Sequence, residues 1–138
     1  MAETPAPAGW LSQPAMCRLL RACGPVNVLG ALIFAPPLPW VRDLFGLPAA
    51  PPLYLWVLSI WILAFGAAYW HLGNSGRIEN TFLAVAAAGK GSFALLILAY
   101  AAAGTIPATA ILLGLPDLAL AAWFTAWLVE VRRQSPGA

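Results

Sequence analysis

PLYLWVLSIWILAFGAAYWHL, residues 52–72, is the stretch of sequence that decides the fold. It contains no Asp, Glu, Lys or Arg, and the only histidine of the chain, His71, lies close to its end. A helix of about 20 apolar residues is long enough to cross the hydrocarbon core of a bilayer, which is about 30 Å thick. The stretch therefore predicts a transmembrane helix.

Two further segments have the same character, residues 81–103 with Lys90 as their single charge and residues 107–129 with Asp117. The segment 16–36 is less regular, because two arginines lie near its start and Pro25 interrupts it. Arginines near the end of a span reach the lipid headgroups, and a proline kinks a membrane helix without abolishing it. We therefore predict a first span at 16–36.

A secretory signal peptide is the alternative for this first segment, since two arginines precede a short apolar run. The long stretch before the arginines disfavours a signal peptide, and so does Pro36-Pro37 at the position of cleavage.

The composition excludes several classes of protein. Hydrophobic residues make up 62% of the 138 residues and charged residues 9%, against about 45–50% and about 25% in soluble domains. So few charges disfavour both a soluble surface and a disordered chain. Scattered basic residues with a net charge of +2 disfavour nucleic acid as a partner. Two cysteines are too few for a disulfide scaffold.

The predicted fold class is all-α, an integral membrane four-helix bundle. The predicted domains are a flexible N-terminal tail (1–15), one membrane domain (16–131) with spans at about 16–36, 52–72, 81–103 and 107–129, and a C-terminal tail (132–138).

The arginines predict the orientation of the chain in the membrane, because cytoplasmic loops carry an excess of Lys and Arg. With four spans, Arg42 lies on one side of the membrane, and the other five arginines lie on the opposite side: Arg18, Arg21, Arg77, Arg132 and Arg133. Both termini are therefore predicted to be cytoplasmic.

The first outer loop, residues 36–51, is rich in proline and is the longest connection. Within it, Trp40 to Phe45 predicts a short interfacial segment, anchored in the headgroup region by its two aromatic ends. The connection at residues 104–106 is so short that the third and fourth spans are expected to be antiparallel neighbours.

Ionisable residues inside a span are costly and therefore informative. Lys90 lies about nine residues into the third span and Asp117 about ten residues into the fourth, which puts both at a depth of about 15 Å. Because the two spans enter from opposite faces of a core of about 30 Å, the two charges share one level. We predict a polar layer there, either ligand-binding or structural, made of Asn27, Lys90, Asp117, Ser59 and Ser92.

Three interpretations of this layer stay open. Lys90 and Asp117 are a structural ion pair, with Asn27 as a further hydrogen-bond partner, or they border a polar pocket open to a lipid-like ligand, a quinone or a proton. The third is an ion pair made with another subunit.

Residues near the span ends are predicted to contact lipid at the interface: Arg77, His71, Tyr69, Trp40, Trp70 and Trp127. A quinone or proton contact is the alternative for His71. No catalytic residue and no metal ligand is predicted, since the chain has one histidine, no CxxCH and no HExxH. Cys17 and Cys23 are six residues apart, so they do not face each other on a helix.

The order of several short motifs resembles the DoxX-like group, small four-helix bacterial membrane proteins that are largely uncharacterised. The motifs are the Asn27 region with Pro36, FGLP at 45–48, FGAAY at 65–69, Arg77, Gly89-Lys90, and Asp117 followed by WFTAW at 123–127. The resemblance covers nearly the whole chain after about residue 16. Some members are membrane subunits of thiosulfate:quinone oxidoreductases or work beside other redox enzymes. The resemblance thus implies an accessory subunit in the bacterial cytoplasmic (inner) membrane.

The predicted function is that of a non-catalytic integral membrane subunit, which packs against and stabilises a larger membrane complex of redox or photosynthetic type. The alternative is a binder of a small hydrophobic ligand or quinone, or a quinone-linked oxidoreductase component, that uses the mid-membrane polar pocket. No cofactor is expected within the chain, with quinone or lipid as the candidate ligands. The expected partners are the lipid bilayer and other membrane subunits, and no nucleic acid.

Overall fold

Within residues 9–134, the part of the chain that the computed structural model describes, all regular structure is helical. The α-helices are α1 (Gln13–Phe34), α2 (Pro39–Asp43), α3 (Pro52–Ser75), α4 (Asn80–Ala102) and α5 (Ile111–Gln134). Two 3-10 turns, Gly9–Leu11 and Ala108–Ala110, precede α1 and α5. Four helices are long and apolar enough to cross a membrane, and α2 is a short helix in a loop. The prediction of a helical chain with four spans is confirmed to this extent.

Helix α1 begins earlier than predicted, at Gln13. The hydroxyl of Ser12 accepts a hydrogen bond from the backbone N–H of Ala15, and Pro14 stands in the first turn, two signals that start a helix. Residues 13–15 of the predicted flexible tail are therefore helical, whereas residues 1–8 lie outside the described range. At the other end α5 continues through residues 132–134, so part of the predicted C-terminal tail is helical as well. Residues 135–138 are outside the described range.

The four long helices form two tightly packed pairs. In the first pair α1 packs against α3, and in the second pair α4 packs against α5. Glycines bring the backbones of the first pair together, since a Cβ on Gly66 would lie 2.9 Å from the Cβ of Asn27 and one on Gly73 would lie 2.8 Å from the carbonyl oxygen of Cys17. Small residues at a seam allow membrane helices to approach in this way.

Aromatic side chains hold the two pairs together. Tyr69 of α3 is 1% exposed, and its ring centroid lies 5.4 Å from that of Phe82 on α4 and 5.8 Å from that of Phe124 on α5. Phe34 of α1 meets Phe93 of α4 edge to face, with 6.3 Å between centroids. The pairs therefore meet through large side chains, which leaves space between their backbones.

The two ends of the bundle are closed by different contacts. At the end where α1 begins and α5 ends, which we call the termini end, the Gln13 side chain donates a hydrogen bond to the carbonyl of Gly76. At the opposite end lies the loop 35–51, in which α2 (Pro39–Asp43) overlaps the segment Trp40 to Phe45, whose position at the membrane interface stays a prediction. Gly46 has a φ of +64°, and the ring of Pro107 fills the space that a Cβ there would need. This loop therefore reaches from the first pair to the start of the second.

Candidate functional site

A crevice of about 390 Å³ lies between the two pairs. All four long helices contribute to it, and its walls are mostly apolar, with Ile33, Phe34, Leu58, Trp61, Ile62 and Leu113 among them. Its polar side chains include Asn27, Lys90 and Asp117. A concave, apolar space with a few polar groups, in the range of about 300–1,000 Å³, is typical of small-molecule sites.

The ion pair predicted from equal depth is present in the crevice. Lys90 Nζ donates a hydrogen bond to Asp117 Oδ1 at 2.5 Å, and the two side chains are 12% and 25% exposed. Lys90 Nζ also lies 5.8 Å from the ring centroid of Tyr69, within reach of a cation–π attraction. The ion pair therefore joins α4 to α5, and its cation faces the ring of Tyr69.

The residues next to the two charges, Gly89 and Pro116, both line the crevice. Gly89, next to Lys90, lines the crevice, and a Cβ added there would meet nothing within 4 Å. Pro116, next to Asp117, also lines it and has no N–H to donate to the carbonyl of Leu112. Gly89 thus leaves room beside Lys90, whereas Pro116 removes the N–H that would otherwise bond to the carbonyl of Leu112.

Asn27 lies at the crevice wall, but its amide serves mainly the packing of the first pair. It is 5% exposed, and its Nδ2 donates a hydrogen bond to the carbonyl of Ile62 at 3.0 Å. Ser59, 3% exposed, likewise donates to the carbonyl of Ala31 at 3.0 Å and does not line the crevice. Both hydrogen bonds connect α1 to α3.

Ser92 is not part of the polar layer, and this prediction was wrong. Its side chain is exposed and donates a hydrogen bond to the carbonyl of Gly89 on its own helix. Two residues along a helix correspond to about 200° of rotation, so Ser92 points away from the face that carries Lys90.

The residues predicted at the interface divide into two groups. The first group is exposed near the helix ends or in the loops, where lipid contact stays a prediction: Trp40, Trp70, His71 and Arg77. Tyr69 and Trp127 are buried instead, so their prediction as lipid contacts was wrong. Tyr69 shares a helix face with Gly66 and Gly73, the face that packs inward. Trp127 Nε1 donates a hydrogen bond to Asn80 Oδ1 at 3.2 Å, which fixes α5 to the start of α4.

The aromatic walls of the crevice were not predicted from the sequence. Trp61, Phe65 and Tyr69 follow one another at intervals of four residues on α3, and all three line the crevice. Residues at this spacing stack on one side of a helix. The spacing was a usable signal, although in an apolar helix it does not tell a lipid-facing side from an inward one.

The polar groups of the crevice offer both hydrogen-bond donors and acceptors. Within residues 9–134 no group of three His, Cys, Asp or Glu side chains lies close enough to hold a metal ion. The two cysteines, Cys17 and Cys23, are buried free thiols in α1. In the crevice, the ammonium of Lys90 has further N–H donors and the carboxylate of Asp117 has further lone pairs beyond their mutual bond. The site can therefore both donate to and accept from a polar head.

Comparisons with known proteins found no match for this chain. No protein-family model matches the chain, and neither a curated protein nor a solved structure matches it. The DoxX-like resemblance therefore rests on the order and spacing of the motifs in the sequence.

Proposed function

We propose that this protein is a multi-pass membrane protein that binds a small, electrically neutral amphiphile in the crevice between its two helix pairs. The observation that carries the proposal is an apolar crevice whose charged groups, Lys90 and Asp117, neutralise each other. The apolar walls favour the hydrocarbon part of such a ligand, since burial of apolar surface contributes about 25 cal/mol per Å².

The charge balance of the crevice selects the head group. An unpaired ion in a low-dielectric site is penalised by several kcal/mol. Because the Lys90–Asp117 pair is already neutral as a whole, an anionic or cationic head would leave one charge uncompensated. A neutral head that accepts a hydrogen bond from Lys90, donates one to Asp117, or does both, avoids this penalty. A quinone, an isoprenoid alcohol or a neutral lipid has this chemistry.

Extraction of the purified protein tests the proposal. We expect one neutral amphiphile in stoichiometric amount when protein purified in mild detergent is extracted with organic solvent and analysed by mass spectrometry. Gly89→Phe fills the open space beside Lys90 and should lose the ligand. Ala88→Phe is the matched control, because Ala88 is the exposed neighbour on the same helix and does not line the crevice. Equal ligand content in both variants contradicts the proposal.

The proposed setting is the bacterial cytoplasmic membrane, with both termini in the cytoplasm. The support is the distribution of arginines, five toward the termini end and Arg42 at the opposite end. Ala2→Cys and Ala138→Cys variants, treated with a membrane-impermeant thiol reagent in sealed cells, should stay unlabelled. The native thiols are buried and give little background. Labelling of either terminus from outside contradicts this topology.

A role as a non-catalytic subunit is the second candidate. Trp61 lies in the middle of α3 at the edge of the crevice, and it remains 61% exposed, whereas tryptophans exposed to lipid concentrate at the two interfaces. A helix of a partner subunit packed over Trp61 would explain this position. Purification in mild detergent followed by mass spectrometry should then recover a stoichiometric partner, and Trp61→Leu should weaken its recovery. A homogeneous protein without a partner contradicts this role.

A further inference from the structure

We infer that Arg42 binds a phosphate-type oxyanion at the end of the bundle opposite the termini, a site separate from the crevice. Arg42 lies in α2 and is 9% exposed. Its Nε is fully buried and has no hydrogen-bond partner, and its side chain forms no ion pair with any residue of the described range 9–134. The adjacent carboxylate, Asp43, is exposed and does not pair with it.

A charged side chain that is largely buried, as Arg42 is, needs a counter-charge. Arginine stays protonated in proteins, so it cannot avoid the penalty of burial by becoming neutral. Buried charges in proteins are therefore paired. The arginines of the termini end that flank the membrane segments, Arg18, Arg132 and Arg133, are exposed, and water can satisfy them. Arg42 is neither exposed nor paired within the described chain, which points to a ligand from outside the chain.

The surroundings of Arg42 favour an anion from the membrane surface. Trp40 and Leu44, on either side of it, are 61% and 68% exposed, as expected for a short helix that lies in the interface. The N–H groups of Phe45 and Leu47 both donate to the carbonyl of Arg42, at 3.1 and 3.4 Å. These two hydrogen bonds fix the backbone of the loop at Arg42.

The planar guanidinium suits an oxyanion. Its N–H groups match the oxygens of a phosphate and can bind two of them at once. The phosphodiester of a phospholipid headgroup and free inorganic phosphate share this chemistry, so the test has to separate these two sources.

The test measures Tm in dodecyl maltoside for the wild type, Arg42→Gln, Arg42→Met and Arg132→Gln. Each is measured alone, with phosphatidylglycerol, with diacylglycerol of the same chains, and with inorganic phosphate. Arg132→Gln is the matched control, since it removes an exposed arginine at the other end. Without lipid, Arg42→Gln and Arg42→Met should be at least as stable as the wild type, because they remove an unpaired buried charge.

With phosphatidylglycerol, the wild type and Arg132→Gln should gain about 5 °C more in Tm than the two Arg42 variants, and diacylglycerol should give no such difference. The same selective gain with inorganic phosphate supports the oxyanion site and assigns it to the free ion. Equal gains in the wild type and in both Arg42 variants overturn the inference. So does a lower Tm of both Arg42 variants without lipid, since Arg42 would then have a partner within the protein.

Discussion

Removal of one member of the Lys90–Asp117 pair should destabilise the protein far more than removal of both. At the observed 2.5 Å between Nζ and Oδ1, an effective dielectric constant of 20 gives an attraction of about 6–7 kcal/mol. The desolvation of two ions offsets most of this, and the loss of one partner from a buried pair typically destabilises by about 3–5 kcal/mol. The side chains are 12% and 25% exposed, so a stranded ion can draw water from the crevice. We therefore expect the lower value, about 3 kcal/mol, for Lys90→Met and for Asp117→Leu.

The double variant, Lys90→Met with Asp117→Leu, should recover most of this loss. The double variant leaves no unpaired ion. Its remaining loss of stability is the missing cation–π contact of Lys90 with Tyr69, about 1 kcal/mol. The assay is the free energy of unfolding, or Tm, of the four proteins in dodecyl maltoside. Ser92→Ala is the control on the same helix, because Ser92 is exposed and bonds only to its own helix, and it should change nothing. Losses that simply add in the double variant would refute the reasoning.

Two other contrasts follow from packing and are measured by the same unfolding assay. Gly66→Ala should lose about 1–3 kcal/mol, because its new Cβ would lie 2.9 Å from the Cβ of Asn27. Gly89→Ala, with open space around it, should be neutral or more stable by up to about 1 kcal/mol. Tyr69→Ala should lose about 3–5 kcal/mol, as expected for a buried aromatic residue. Trp70→Ala, 52% exposed, should lose less than about 1 kcal/mol, and a reversed order within either contrast counts against the packing described.

The four long helices could be predicted from the sequence, because length and hydropathy alone decide whether a segment can cross a bilayer. The pairing of Lys90 with Asp117 could also be predicted, since a helix converts sequence position into depth at a fixed rise of about 1.5 Å per residue. The depth of a residue along its helix can thus be calculated from the sequence, even where its side-chain contacts cannot.

The direction in which a side chain points is harder to predict from the sequence than its depth. Along an apolar helix, both the lipid-facing and the inward sides are hydrophobic, so periodicity gives little information. Ser92 is exposed on the side of α4 away from Lys90, and Tyr69, which the sequence predicts at the interface, lies in the core. The crevice itself depends on how the two helix pairs meet, which is set by aromatic contacts between residues far apart in the chain.

The affinity of the crevice for a matched series of head groups tests the central claim most directly. Monododecanoylglycerol, dodecanoate and dodecylammonium share a twelve-carbon chain and differ in the charge of the head. Their dissociation constants can be measured by native mass spectrometry, with Gly89→Phe to identify the binding that takes place in the crevice. The neutral compound should bind at least about 100-fold more tightly than either ion, because an uncompensated charge beside the Lys90–Asp117 pair costs several kcal/mol. Equal or tighter binding of dodecanoate or dodecylammonium in the crevice would contradict the account.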